Sequence, residues 1–162
     1  MPAASNSKSR FKSRVPWAVK MQSPAKPELV EMPPTWVARY GDGPLLIATP
    51  RLIEEKIRDV KKGRLTTVGR IRQALAAEYR AVATCPLTTG IFLRIVAEYA
   101  EEERANGMTR VTPYWRVVKD DGGLHSKFPG GIEAQAKLLV VEGIEIIRPR
   151  GIPRVANPQA HI

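Results

Sequence analysis

Apolar side chains recur at helical spacing in four stretches of this chain, each bracketed by start and stop signals. In the first, Thr49-Pro50 supplies a hydroxyl N-cap and a proline at the first helical position. Leu52, Ile53, Ile57 and Val60 form its stripe, and Gly63 ends it. The second begins at Leu65-Thr66-Thr67 and runs through Val68, Ile71, Leu75 and Tyr79, with Arg70 and Arg72 on its other face. Cys85-Pro86 opens the third, where Leu87, Ile91, Ile95 and Tyr99 share one side and Asn106-Gly107 closes the run. The fourth covers Ile132 to Glu142 and stops at Gly143. Leu45-Leu46-Ile47 and Ile144, Ile146 and Ile147 read as short strands. Val111 to Lys119 is β-rich and loosely alternating, which predicts another, and Asp120-Asp121-Gly122-Gly123 predicts a tight hairpin turn. The predicted class is α+β, mainly helical. Three helices followed by a hairpin is the order of a winged helix-turn-helix DNA-binding domain, whose third helix can lie in a groove of DNA. The periodicity by itself also fits other small α+β arrangements.

The flanks read differently. Residues 1–40 are rich in Ser, Lys, Pro and Ala without sustained periodicity, which predicts a disordered basic arm. Trp17 and Trp36 interrupt it as docking points on the core or on a partner. Gly41-Asp42-Gly43-Pro44 marks the start of the compact domain, residues 41–147, and residues 148–162 read as a basic tail.

Charge sharpens this division. The net charge is +10, yet Lys8, Arg10, Lys12, Arg14, Lys20 and Lys26 fall within residues 1–27, and Arg148, Arg150 and Arg154 within the tail, with no acid in either. The middle of the chain is therefore close to neutral. Such arms can reach phosphates and gain salt-dependent affinity from released counterions, or simply keep a protein dissolved. Within the domain, Lys61, Lys62, Arg64, Arg70 and Arg72 cluster around the second helix.

A chain of 162 residues points to one domain. The single cysteine, Cys85, excludes an intramolecular disulfide and a cysteine-based zinc cluster. The two histidines, His125 and His161, are too scattered for a metal site, so no cofactor is expected. No apolar run reaches the ~18 residues needed to span a bilayer, and the N-terminus has no apolar signal region. An intracellular, cytoplasmic monomer associated with nucleoid or chromatin is the expectation.

The chemistry concentrates in Thr112-Pro113-Tyr114-Trp115-Arg116-Val117-Val118, followed by Phe128-Pro129-Gly130-Gly131. This stretch resembles the active-site region of the alkylguanine-DNA alkyltransferase family, whose motif is Pro-Cys-His-Arg-Val. The resemblance extends from about Lys61 to Gly143. Gly63-Arg64-Leu65-Thr66-Thr67-Val68 is similar to the family's lead into its first motif helix. Asn106 stands eight residues before Tyr114, the offset of the family's hinge asparagine from its cysteine, and Glu142-Gly143 matches its glutamate at the end of the last helix.

The resemblance implies a scaffold kept and a reaction lost. Tyr114 takes the nucleophile's position and Trp115 that of the histidine that activates it, whereas alkyl transfer needs a thiolate. That resembles the alkyltransferase-like branch, which recognises alkylated bases without repairing them. Tyr114, Trp115, Phe128 and Asn106 are the implied lesion and base pocket, with Glu142 a structural remnant of the relay and Arg116 a structural donor. Arg64, Thr66, Thr67, Arg70, Arg72, Thr88, Thr89 and Arg94 are the candidate DNA contacts, Thr66 and Thr67 also serving as N-caps. Val68 stands in place of the family's phosphate-pushing tyrosine. Gly90 stands in place of its intercalating arginine, with Arg94 a turn further on. The acidic run Glu98, Glu101, Glu102 and Glu103 is expected to face away from DNA, pairing with Arg104 and Arg110.

The expected function is non-catalytic binding of duplex DNA with recognition of alkylated or flipped guanine, linked to DNA repair and to a repair-pathway protein. Two alternatives stand beside it: a winged-helix interaction module without lesion recognition, and a residual alkyltransferase using Cys85 at its helix start. A buried or capping cysteine is the plain structural alternative to the last.

Overall fold

The computed structural model describes residues 15–162 and contains six α-helices and seven short strands among them, an α+β architecture dominated by helix. The elements are α1 (Trp17–Met21), β1 (Glu28–Glu31), α2 (Val37–Tyr40), β2 (Pro44–Ile47), α3 (Pro50–Arg58), β3 (Thr66–Thr67) and α4 (Val68–Glu78). They continue as β4 (Ala83–Thr84), α5 (Pro86–Ala105), β5 (Val117–Val118), α6 (Gly131–Val141), β6 (Ile146–Ile147) and β7 (Arg154–Val155).

The four main helices start where local chemistry stops the preceding backbone. Thr49 Oγ1 accepts from Leu52 N–H and Thr67 Oγ1 from Arg70 N–H, so each threonine satisfies an orphan donor of its first turn. Pro86 at the first position of α5 needs no partner for a missing N–H. Gly130 precedes α6 in the left-handed region at φ 76°, and a Cβ there would sit 2.6 Å from that of Ala134.

Helix α5 is the spine, with α1 and α3 packed along it. Its Leu93, Val96, Ala97 and Ala100 meet Ile53 and Ile57 of α3, Ile71 and Leu75 of α4, and Tyr114 and Phe128 in the main core. A second cluster joins Leu65, Val118, Leu124, Leu139, Ile144 and Val155 under α6. A third, Met32, Leu45 and Cys85, lies under the sheet in the order β1-β2-β4. In that sheet β1 is antiparallel to β2 and β4 parallel to it. Two parallel residues of β3 pair with β5, aligning Thr66 with Val117.

Three expectations change. Residues 15–40 are not an unstructured arm: β1 pairs along its whole length with β2, and Met21 and Met32 are buried. All four β1 side chains are exposed, so the strand is held by its backbone and leaves no alternation to read. Lys8, Arg10, Lys12 and Arg14 lie outside the described residues. The 148–162 segment also folds back. β7 pairs antiparallel with β6, Val155 is buried, and Leu65 N–H donates to the His161 carbonyl.

Finally, only Val117–Val118 of the predicted 111–119 strand is extended. Tyr114–Arg116 is a turn of 3₁₀ helix following Pro113, which cannot donate to a ladder. The 119–123 turn is present, closed by Lys119 N–H to Gly123 and Gly122 N–H to Lys119. Its two sides pair elsewhere, β5 with β3 and Gly123 with Arg154, so it does not join two strands of one hairpin.

Candidate nucleic-acid interface

The 3₁₀ turn after Pro113 throws its two aromatics in different directions. Tyr114 is 1% exposed and packs edge-on against Phe128, ring centroids 5.2 Å apart, and against Trp115 at 5.4 Å. Its hydroxyl donates to Glu101 Oε1 at 2.7 Å, an acceptor shared with Arg104. Burial, then the bond to Glu101, push the phenol well above the usual tyrosine range. The side chain at the reactive position of the resembled family is thus a neutral plug in the core. It does not line a pocket, contrary to the sequence expectation.

Trp115 turns the other way, and Nε1 donates to Glu142 Oε1 at 3.0 Å. The same carboxylate receives Arg116 Nε and Nη2, the latter at 2.7 Å, while Arg116 Nη1 reaches the Val60 carbonyl. Burial opposes the charge on Glu142, but the hydrogen bonds from Arg116 and Trp115 outweigh it and hold the carboxyl below its ordinary range. The Arg116–Glu142 pair therefore locks the 113–118 segment to the end of α6, and Trp115 belongs to that lock rather than to a base pocket.

Other candidates are also drawn into structure. Thr89 is buried and bonds the Cys85 carbonyl, and Thr67 is buried as an N-cap. Arg72 Nε donates to the Thr84 carbonyl, Thr84 returns a bond to the Arg72 carbonyl, and the guanidinium lies 5.6 Å from the Tyr40 ring. These groups are committed to the fold because small domains use the polar side chains beside strand ends to satisfy backbone groups. Asn106 is the exposed C-cap of α5. Arg64 and Arg70 are exposed, and Thr66 is half-buried in β3. Cys85 is buried beside Met32 and Leu45, with no cleft opening onto it among the described pockets.

What the fold does open is a cleft of about 880 Å³ between α1, the N-terminal half of α5 and the segment 119–128. Trp17 and Lys20 form one wall, and Lys119, His125, Lys127 and Phe128 the other. Leu87, Gly90, Ile91 and Arg94 lie between them on one helical face. Val68 also reaches it. The lining carries four cations, Lys20, Arg94, Lys119 and Lys127, and no carboxylate. Arg94 and Lys20 flank the Trp17 ring at 5.8 and 4.5 Å, a cation–π arrangement that keeps both at the wall. The partner of Arg94, Glu98, is one turn away at 3.8 Å, too long for a hydrogen bond.

At the inner wall His125 lies tilted against Phe128, with centroids 4.6 Å apart and ring planes 35° from parallel. Burial and the neighbouring Lys119 lower the imidazole to about 4, against a bond to the Val118 backbone, so it is neutral at physiological pH. Its Nε2 has no hydrogen-bond partner among the described residues.

Of the residues singled out from sequence, Phe128 and Arg94 line this cleft, as do Trp17, Val68 and Gly90. Tyr114, Trp115, Asn106, Arg64, Arg70, Arg72, Thr66, Thr67, Thr88 and Thr89 do not. Sequence reasoning missed Lys20, Lys119, Lys127, His125 and the aliphatic pair Leu87 and Ile91 as members of one surface. The only available signal was that Leu87 and Ile91 share a face at a four-residue spacing, which reads as core.

No family model matches the chain, and no curated protein does either. Among solved structures the chain is similar to S. pombe Atl1 in complex with damaged DNA containing O6-carboxymethylguanine. The identity is 17% and the TM-score 0.44, over 68% of this chain and 90% of that one. A likeness of that size carries no functional inference. No helix among the described residues is long and apolar enough to cross a membrane.

Proposed function

We propose that this chain binds duplex DNA through the cleft between α1, α5 and residues 119–128, and that it does so without accepting an alkyl group. The observation that carries the reading is the charge of that cleft: four cations, no carboxylate and an apolar floor along one helix. Cations placed around a helix face supply phosphate affinity by releasing counterions, while the apolar floor suits bases and sugars. A compact acidic ligand would not need a surface this wide and this apolar.

The non-catalytic part rests on Tyr114 and Cys85. A phenol sealed in the core and bonded to Glu101 has neither access to a substrate nor a thiolate's reactivity, and Cys85 is buried on a different face of the sheet. Lesion recognition of the alkyltransferase-like type, linked to DNA repair, requires another base-facing surface. In this reading it is His125, tilted against the buried Phe128 at the cleft wall. A helix-turn-helix reading takes α4 and α5 as the motif pair, with the 119–128 segment beside them but without the two-stranded hairpin of a wing.

Fluorescence anisotropy on matched duplexes, with and without one alkylguanine, tests both parts. A steep loss of affinity with salt is expected for both duplexes, together with preference for the alkylated one. Equal affinity would discard lesion recognition and leave general DNA binding. Absence of salt-dependent binding would remove DNA altogether.

A further inference from the structure

Between β6 and β7 the chain turns over residues 148–153, and at Arg150 the backbone enters the left-handed region at φ 54°. Glycine or asparagine ordinarily fills such a turn position, because an L side chain there crowds its own backbone. Arg80, the other non-glycine residue at positive φ among the described residues, sits just past α4, where helices commonly end that way. Arg150 closes no α-helix. It is exposed, and strain kept at such a position is a mark of a side chain in use.

The surroundings say what the use is. β7 pairs on one side with β6 and bridges on the other to Gly123, and Val155 N–H donates to the Gly122 carbonyl. The C-terminal hairpin is thereby fixed to the 119–123 turn, and Arg148 clamps its start to α6 through two bonds to Glu133. Between hairpin and turn lies a second hollow of about 480 Å³, lined by Lys119, Ser126, Arg150, Ile152 and Arg154. Lys119 and Ser126 line the basic cleft as well, so the two hollows share one partition. Asp121 brings a carboxylate to the second hollow, but it accepts from Gly123 N–H within its own turn, and the Arg154 guanidinium donates to the Asp121 carbonyl. Lys119 and Arg150 have no carboxylate partner among the described residues.

Resting on the DNA-binding reading above, we infer that the C-terminal hairpin is a second phosphate-binding surface that grips the same duplex beyond the cleft. Arg150 and Arg154 take phosphates of the flanking backbone, and Lys119 on the partition serves the join. The occupant follows from charge and continuity. Three cations against one engaged carboxylate select a polyanion, and an isolated phosphate would not reach both hollows. Duplex DNA does, because it repeats a charge about every 1.7 Å along its axis. The Ser126 hydroxyl and the exposed Ile152 suit phosphate oxygen and sugar.

The test is salt-titrated anisotropy on the full chain. Arg150→Gly removes the cation and gives the turn the residue its φ favours, so its melting temperature should be no lower than that of wild type. On a long duplex it should flatten the slope of log affinity against log salt by about 0.9 and weaken binding about five- to tenfold at roughly 0.1 M salt. Arg150→Lys keeps the charge at the same backbone angle and should retain the slope. Shortening the duplex stepwise should abolish the effect of Arg150→Gly before that of Lys127→Gln, since the hairpin lies beyond the cleft. An Arg150→Gly slope equal to that of wild type on every duplex, with Lys127→Gln still flattening it, would overturn the second surface and leave cleft binding intact. Loss of both effects at the same length would also overturn it, by putting Arg150 on the phosphates of the cleft itself. A wild-type chain without salt-dependent binding removes the underlying reading with it.

Discussion

The Tyr114 hydroxyl donates a 2.7 Å hydrogen bond to Glu101 Oε1, tying the turn after Pro113 to the C-terminal part of α5. The ring is buried against Phe128 and the carboxylate also pairs with Arg104. The tyrosine is thus a strut between two elements, and its removal has structural consequences. Tyr114→Phe should cost about 1 kcal/mol for the lost bond, and Tyr114→Ala about 3–5 kcal/mol for the cavity. Urea unfolding measures both. The salt slope of DNA binding in Tyr114→Phe should match wild type.

Tyr114→Cys puts a thiol at the position the resemblance expects, but Trp115 cannot accept its proton and the site has no opening to solvent. Intact-protein mass spectrometry after incubation with an alkylguanine duplex should show no added mass. An adduct would mean that the segment opens far more than its packing suggests.

Gly90→Arg is expected to be tolerated, because open space surrounds the position and glycine is a poor interior helix residue. The added cation should tighten duplex binding and steepen the slope of log affinity against log salt by about 0.9. Lys119→Gln and Lys127→Gln should each flatten it by about the same amount. Arg72→Gln should leave the slope alone and instead lower stability by about 1–3 kcal/mol, since Arg72 bonds the Thr84 carbonyl. Salt-titrated anisotropy separates these outcomes.

His125 makes stability depend on acid. Above pH 6.5 the imidazole is neutral in both folded and unfolded chains. Below it the unfolded chain takes up a proton that the folded protein refuses until about pH 4, so stability falls across that window. The loss should be about 2–3 kcal/mol by pH 4, and His125→Asn should remove that part of the slope in urea titrations at stepped pH.

Glu142 acts in a lower window. Its carboxyl is held below the ordinary range by Arg116 and Trp115, so its contribution is fully present above the unfolded pKa near 4.5 and is lost as pH falls through the folded value. Glu142→Gln should cost about 3–5 kcal/mol at neutral pH by leaving Arg116 half-buried without its counter-charge. It should also erase this second acid transition.

The helices were legible because their signals are local. Thr49-Pro50, Thr67 and Cys85-Pro86 start α3, α4 and α5 where the sequence places them, since a cap or a proline acts within one turn of itself. The pairing of residues 28–31 with 44–47, and of 146–147 with 154–155, was not legible. Backbone ladders between short strands need no side-chain pattern, so a stretch of exposed Glu and Leu looked like an arm.

The sequence by itself determined the helical framework, the basic balance, and the absence of a thiol and a histidine from the Pro113–Val117 motif. Those are matters of residue identity and local spacing. Only the tertiary structure decided that Tyr114 is core and that Cys85 lies under the sheet. It also decided that Lys20, Arg94, Lys119 and Lys127 face one cleft with Leu87 and Ile91. Which way a side chain turns, and which distant cations converge, depend on how α1 and the 119–128 segment pack against α5, and no local pattern encodes that packing.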